Sequence, residues 1–412
     1  MTKKFKKMRV LLAAMLALTI SLSFVPMAYA DDDPVRYTEA AVAKVFQMPV
    51  GTTTPATEFT FTVTGVSVNN NTAVAPPVIA ASPFTLSFTS TDVGTTIGDV
   101  KTIIKETPDI FGAVTWPSAG IYEYTVVEDD ISYGTTGDDQ ILTCSSASYT
   151  LKVYVRDVDD DDNPVAPYVY HIGALRTSPD GPDNPTGKVD PRPGGDQENY
   201  FHSQMTFTNT YYKHDGDTPP NPNRSTLSLM KTVSGDYASS STPFDFAVTV
   251  TKPSLVPGSV SYTAYIIDVD GTFDLTDPIS FPSGVAVNVQ LKANQKLAFV
   301  NTHVGASFEI TETGVFSYEP TATVNIPAGG GSVTGDVGED LTIPSGLIMA
   351  SVLYVGEGVN TNNVVFDNFF DENPFTGITV ENLPFIALIA LAVIGLGIFI
   401  VVKNRKRKAE DN

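Results

Sequence analysis

Several extended segments place a polar side chain where the alternation calls for an apolar one. In a strand, successive side chains point to opposite faces, so residues two apart share a face. Leu227, Leu229 and Val233 are in phase with Lys231. Val42 and Phe46 are in phase with Lys44, although Ala41, Ala43 and Val45 make the other face apolar too. Tyr122, Tyr124 and Val126 lead to Glu128, and Phe308 and Ile310 lead to Glu312. Met205, Phe207 and Tyr211 are in phase with Asn209, and Val364, Phe366 and Phe370 with Asn368. Each half of the chain therefore aims a lysine, a glutamate and an asparagine at its core, in that order. Burial disfavours an isolated charge and moves amine and carboxyl toward their neutral forms. A neutral lysine amine is a nucleophile, and a neutral glutamic acid can donate to an amide and move protons. Held against an asparagine carboxamide, such a pair is set up for transamidation, giving a Lys–Asn isopeptide bond and ammonia. Folding makes the reaction intramolecular, which supplies most of its rate.

The elements that position these groups read as strands. Glu58–Val63, Tyr149–Val155 and Phe244–Val248 alternate with period two, Thr, Val, Tyr and Phe are abundant, and turn residues recur between the runs. Val100–Ile104 is open to reading as a short helix. The expected class is all-β, two tandem antiparallel sandwiches. The first covers 31–212 and the second 225–372. Between them Lys213–Arg224 is polar and proline-rich, a semi-stiff linker. Ser178–Asn199, with five prolines and four glycines, reads as a long exposed loop.

Both ends carry sorting information. Lys3, Lys4, Lys6, Lys7 and Arg9 precede an apolar run from Val10 to about Val25, followed by Ala28-Tyr29-Ala30. This is the layout of a secretory signal peptide, 1–30, cleaved after Ala30. At the other end, 373–412, Asn373-Pro374-Phe375-Thr376-Gly377 precedes an apolar stretch, Leu383–Val402, long enough to span a bilayer as a helix. Lys403, Arg405, Lys406, Arg407 and Lys408 follow, a basic tail that stays cytoplasmic and leaves the bulk of the chain outside.

Composition narrows the function further. The 412 residues carry a formal net charge of −21. Without 1–30 and 377–412 there remain 15 basic and 43 acidic residues, a net of −28, which argues against nucleic acid as a partner. The single cysteine, Cys144, offers no intrachain disulfide and reads as a small buried hydrophobe. Asp159–Pro164 lacks the ligand spacing and glycine of a calcium loop and reads as a hairpin turn, as does Asp268–Gly271. His171, His202, His214 and His303 show no metal spacing, and no cofactor, metal or external substrate is expected.

Lys44, Ala119–Glu128 (Ala-Gly-Ile-Tyr-Glu-Tyr-Thr-Val-Val-Glu) and Phe207-Thr208-Asn209-Thr210 resemble the isopeptide-linked domains of Gram-positive pilins and surface proteins, of the streptococcal major-pilin type. Thr226–Gly235 with Phe366-Asp367-Asn368 is similar to the related repeat module of such proteins, with Phe308 and Ile310 in place of the usual Tyr and Val. The resemblance implies Ig-like, Cna-B-like sandwiches with one Lys–Asn bond each: Lys44–Asn209 promoted by Glu128, and Lys231–Asn368 promoted by Glu312. The C-terminal arrangement resembles a sortase sorting signal, with Pro374, Thr376 and Gly377 matching and Asn373 where Leu is usual. It implies cleavage between Thr376 and Gly377 and transfer of the Thr376 carbonyl to peptidoglycan or another pilin subunit. The function expected is that of a wall-anchored structural subunit or stalk, a sortase substrate rather than an enzyme. The alternative is an adhesin whose first domain binds a host or neighbouring-cell ligand. Lys188 and Lys213 stand in exposed-looking segments that could accept another subunit's threonine.

Overall fold

The computed structural model describes residues 36–129, 140–181, 184–194, 204–327, 329–344, 352–371 and 383–410. The signal segment with Ala28 and Ala30, and the pentapeptide Asn373–Gly377, lie outside them. The described chain is almost entirely β-structure, arranged as two bodies with a core each.

The first body contains β1 (Val42–Pro49), β2 (Thr57–Val68), β3 (Phe84–Phe88), β4 (Thr95–Ile97), β5 (Val100–Glu106), β6 (Gly120–Glu128), β7 (Gln140–Thr143), β8 (Ser148–Val158), β9 (Pro164–Ser178), β10 (Gly187–Val189) and β11 (Met205–Lys213). They form two sheets, ordered β4-β5-β1-β11-β7 and β10-β9-β8-β6-β2-β3. The second body contains β12 (Leu227–Ser234), β13 (Phe244–Thr251), β14 (Ser261–Ile267), β15 (Ile279–Pro282), β16 (Val287–Leu291), β17 (Lys296–Phe299), β18 (Ser307–Glu312), β19 (Glu319–Ile326), β20 (Gly329–Thr334), β21 (Leu341–Ile343), β22 (Leu353–Tyr354) and β23 (Asn363–Phe369). Its sheets run β15-β14-β17-β12-β23-β19-β20 and β16-β13-β18-β21, with β22 also on β18. In each body alternate apolar side chains of the two sheets close one core, in which aromatic rings meet edge to face, as Phe46 does on Phe59 and Phe88.

The sandwiches are not wholly antiparallel. The first and last strand of each body lie side by side and parallel, β1 with β11 and β12 with β23. Val100–Ile104 is strand, not helix: it falls within β5, which pairs antiparallel to β1. Val100, Ile103 and Ile104 are β-branched and fit a pleated surface better than a helix. Cys144 is half-buried rather than buried, because it lies on the loop leaving β7. The turns at Asp159 and Asp268 form, the first with the Asp159 carboxylate accepting from the backbone N–H of Asp161 and Asn163.

The segment from Lys213 to Arg224 is bound on both sides and does not act as a free spacer. The Lys213 carbonyl accepts from Val304 N–H, His214 pairs with His303, and Asp215 accepts from Gly358 N–H. A short 3₁₀ turn, Pro222–Arg224, ends it. Other contacts cross the same junction. Glu357 accepts from the N–H and hydroxyl of Thr53, and Asp99 from the N–H and hydroxyl of Ser254. Ser178–Asn199 likewise contains structure: β10 pairs with β9, and Asp180 and Asn184 are buried. At the C-terminus α1 (Leu383–Glu410) carries the apolar run. Its side chains are described for 387–396 and 398–403, and no helix of the described residues is long and apolar enough to cross a membrane.

Candidate functional site

Each body holds one buried lysine, glutamate and asparagine in contact. Lys44 lies on β1 and Asn209 on its parallel neighbour β11. The register pairs Lys44 with Phe207 and Phe46 with Asn209, so Lys44 and Asn209 are offset by two and share a face. Glu128 ends β6 in the opposite sheet and reaches across the core. Lys44 Nζ donates to both Glu128 oxygens at 2.9 and 2.8 Å, and Asn209 Nδ2 donates to Glu128 Oε1 at 2.7 Å. Both ion-paired side chains are almost fully inaccessible, 0% and 1% exposed.

The second body repeats this construction. The register pairs Lys231 with Phe366 and Val233 with Asn368, the same offset on the same kind of parallel pair. Lys231 Nζ lies 3.0 Å from Glu312 Oε1, and Asn368 Nδ2 donates to that oxygen at 2.9 Å. The aromatic surroundings match as well. Lys44 Nζ sits 4.3 Å from the Phe59 ring centroid, and Lys231 Nζ 4.2 Å from that of Phe244. Two residues on, Phe61 packs against Phe207, and Phe246 against Phe366. Phe61 and Phe246 are also the cross-strand partners of Glu128 and Glu312.

The electrostatics follow from this wall of rings. Burial pulls the Lys44 amine down from its usual value to about 8, against the opposing attraction of Glu128. Burial lifts the Glu128 carboxyl, against the pull of Lys44 and the hydrogen bond from Asn209. Lys231 is lowered to about 8 and Glu312 raised for the same reasons. The two values in each pair are driven toward each other, so passing a proton from ammonium to carboxylate costs less here than in water. The neutral pair it creates is a nucleophilic amine beside a carboxylic acid, with an amide in contact with that acid.

Sequence phase missed several participants. Asp180 is buried at the first site, where its charge raises Glu128 further, and Asp367 has the same effect on Glu312. Ser145 N–H donates to Asn209 Oδ1 at 2.6 Å. Arg176 is 2% exposed and binds the Tyr149 hydroxyl, Thr206 Oγ1 and the Pro185 carbonyl. Arg176 was open to detection, because it is in phase with buried Ile172 and Ala174. Asp180 and Ser145 lie in loops, where no alternation marks an inward residue. Lys188 is exposed on β10, an edge strand, whereas Lys213 is half-buried between Asp215 and Glu357 at 3.1 and 3.2 Å.

Residues 40–212 match the family model described as the Spy0128-like isopeptide containing domain, and residues 225–343 that of a domain of unknown function (DUF7601). Among solved structures, the chain is similar to the major pilin from Streptococcus pyogenes, with 19% identity and a TM-score of 0.32, covering 82% of this chain and 100% of that one. It is also similar to the T3.2 major pilin from S. pyogenes serotype GAS13637, with 17% identity and a TM-score of 0.30, covering 81% and 99%. The pilus-presented adhesin Spy0125 (Cpa) aligns over 52% of this chain and 38% of its own, with 12% identity and a TM-score of 0.22. No curated protein matches. Residues 40–212, the first body, thus match a Spy0128-like isopeptide containing domain.

Proposed function

We propose that the protein is a wall-anchored structural subunit, pilin-like or stalk-like, in which each sandwich is cross-linked by a Lys–Asn isopeptide bond. The observation that carries the reading is the repetition of one buried Lys/Glu/Asn contact at one register in two bodies of different sequence. The links are Lys44–Asn209 and Lys231–Asn368. Lysine Nζ, after giving a proton to the glutamate, attacks the asparagine carboxamide carbon. The glutamic acid returns that proton to Nδ2, the C–N bond breaks and ammonia leaves, and the glutamate then takes the second proton from Nζ as the amide forms. A buried ion pair alone is weak evidence for added stability, so its presence twice in contact with an amide favours chemistry over simple pairing. Export by residues 1–30, sortase cleavage at Thr376, membrane retention by Leu383–Val402 before that cleavage, and joining to peptidoglycan or a second subunit complete the proposal. Lys188, exposed on its edge strand, suits the role of acceptor better than the ion-paired Lys213.

The intact mass of the protein released from the wall tests this. It is expected to match residues 31–376 less two ammonias, plus the wall fragment or subunit joined at Thr376, with two internal branched peptides in a tryptic map. An unmodified mass with no linked peptide overturns the cross-links, and residues 377–412 still present overturn the sorting.

Bond formation in the newly folded first body is expected to follow a bell-shaped pH profile. The reactive pair holds one proton. Below the raised Glu128 value both groups are protonated and the amine is not nucleophilic. Above about 8, the lowered Lys44 value, the shared proton is gone and Glu128 has none to donate to Nδ2 as the C–N bond breaks. A rate that climbs steadily to pH 10 contradicts the acid's part.

A further inference from the structure

The carboxamide oxygen of Asn209 faces a built donor. Ser145 N–H, on the loop leaving β7, donates to Asn209 Oδ1 at 2.6 Å. That loop is clamped to the strand carrying the asparagine. Ser145 Oγ donates to Asp180 Oδ1 at 2.5 Å, and Asp180 Oδ2 accepts from the N–H of Thr208, the residue before Asn209, at 2.9 Å. Ser145 Oγ also accepts from Ala147 N–H at 3.1 Å, which tightens the loop on itself. One buried carboxylate thus holds the donor's residue and the acceptor's strand in fixed relation. The second body differs. Asn368 Oδ1 is buried and, among the described residues, has no hydrogen-bond partner; Glu312 Oε2 has none either.

We infer that the Ser145 backbone N–H is the oxyanion donor of the first cross-linking reaction, that Asp180 is its positioning residue, and that the second site reacts without an equivalent donor. The inference rests on the isopeptide reading above. When Lys44 Nζ adds to the Asn209 carboxamide carbon, the C=O π electrons move onto Oδ1, the oxygen that already accepts from Ser145 N–H. When the C=O re-forms, Nδ2 leaves with the proton supplied by Glu128, as ammonia, and the Glu128 carboxylate takes the remaining extra proton from Nζ. A preorganised donor of this kind stabilises the transition state more than the ground state, because the oxygen's charge grows along the path. In the second body the same charge must develop on an oxygen with no donor among the described residues, so its reaction is slower.

The full chain made by cell-free translation in a short pulse tests the inference. Samples are quenched with acid over time and digested, and the Lys44–Asn209 and Lys231–Asn368 branched peptides are quantified separately. In the unaltered chain the first link is expected to form at least roughly tenfold faster than the second. Ser145→Pro, which removes the N–H, is expected to slow the first link roughly 100- to 1000-fold and leave the second unchanged. Ser145→Ala keeps the N–H and loses the side-chain ties to Asp180 and to Ala147 N–H, so it should slow the first link several-fold. A first link formed at the unaltered rate in Ser145→Pro overturns the inference while leaving the isopeptide reading intact. If Ser145→Pro proves protease-sensitive from the start of the chase, the two rates within the unaltered chain decide, and equal rates overturn it. Absence of both links from the unaltered chain removes the reading beneath it as well.

Discussion

Glu128→Ala is expected to leave the first sandwich folded but unlinked, with the second link unaffected. Tyr122, Tyr124 and Val126 precede Glu128 on the inward face of β6 and are each no more than 1% exposed, so packing survives the substitution. The chemistry does not, since no other described carboxylate contacts both Lys44 Nζ and Asn209 Nδ2. Two losses of stability then add. The buried Lys44 amine loses its only ion-pair partner among the described residues, a change worth on the order of 3 kcal/mol. The loop from 44 to 209, 165 residues, is no longer closed, which by analogy with a disulfide is worth about 4–5 kcal/mol. Together they lower the melting temperature of that body by roughly 15–30 °C. Calorimetry with peptide mapping measures both parts. Glu128→Gln separates them: it keeps the shape and hydrogen-bonding capacity of the side chain but cannot take or return the proton, so it too should lack the link. A fully linked Glu128→Gln protein would show that the carboxyl is not the acid, and Asp180, the other buried carboxylate at this site, would be the group to test.

What the sequence made legible was which way side chains face. The glutamates, asparagines and Lys231 each interrupt a clean alternation, and a buried interruption is visible without coordinates. Lys44 was harder to read because its strand is apolar on both faces. The structure supplies the reason: β1 is central in its sheet and seven of its eight residues are buried. The parallel pairing of first and last strands was not legible. Their partners lie more than 130 residues apart, and periodicity says nothing about which strands become neighbours. That pairing, with its offset of two, brings Lys44 and Asn209 onto one face of adjacent strands and opposes them to a glutamate from the other sheet. The loop groups were not legible either. Asp180 and Ser145 act from connections whose path is set by tertiary contacts, and a polar residue in a proline- and glycine-rich stretch reads as solvated until the backbone is seen.

Pulling on the two ends of the linked protein is expected to extend it far less than pulling on an unlinked one. Tension enters the first body through β1 and leaves through β11, and it enters the second through β12 and leaves through β23. In each body these strands are parallel neighbours, so an isopeptide bond between them carries the load across directly. The chain between lysine and asparagine then bears none of it. The junction keeps the two bonds in series, because Lys213 follows Asn209 by four residues and is held by Asp215, Glu357 and the Val304 N–H. Unlinked strands offer only hydrogen bonds and packing, and once these yield the whole loop is released. At roughly 3.3–3.6 Å per residue, the loop of 165 residues from 44 to 209 releases on the order of 550 Å, and that of 137 from 231 to 368 on the order of 450 Å. Single-molecule force measurements on the unaltered protein should therefore show neither step before rupture of the attachment. Asn209→Ala should show the longer step alone, Asn368→Ala the shorter one, and the double variant both. Either step appearing at full length in the unaltered protein would mean that the corresponding strands are not covalently joined. The stiffness of the subunit would then have to come from packing alone.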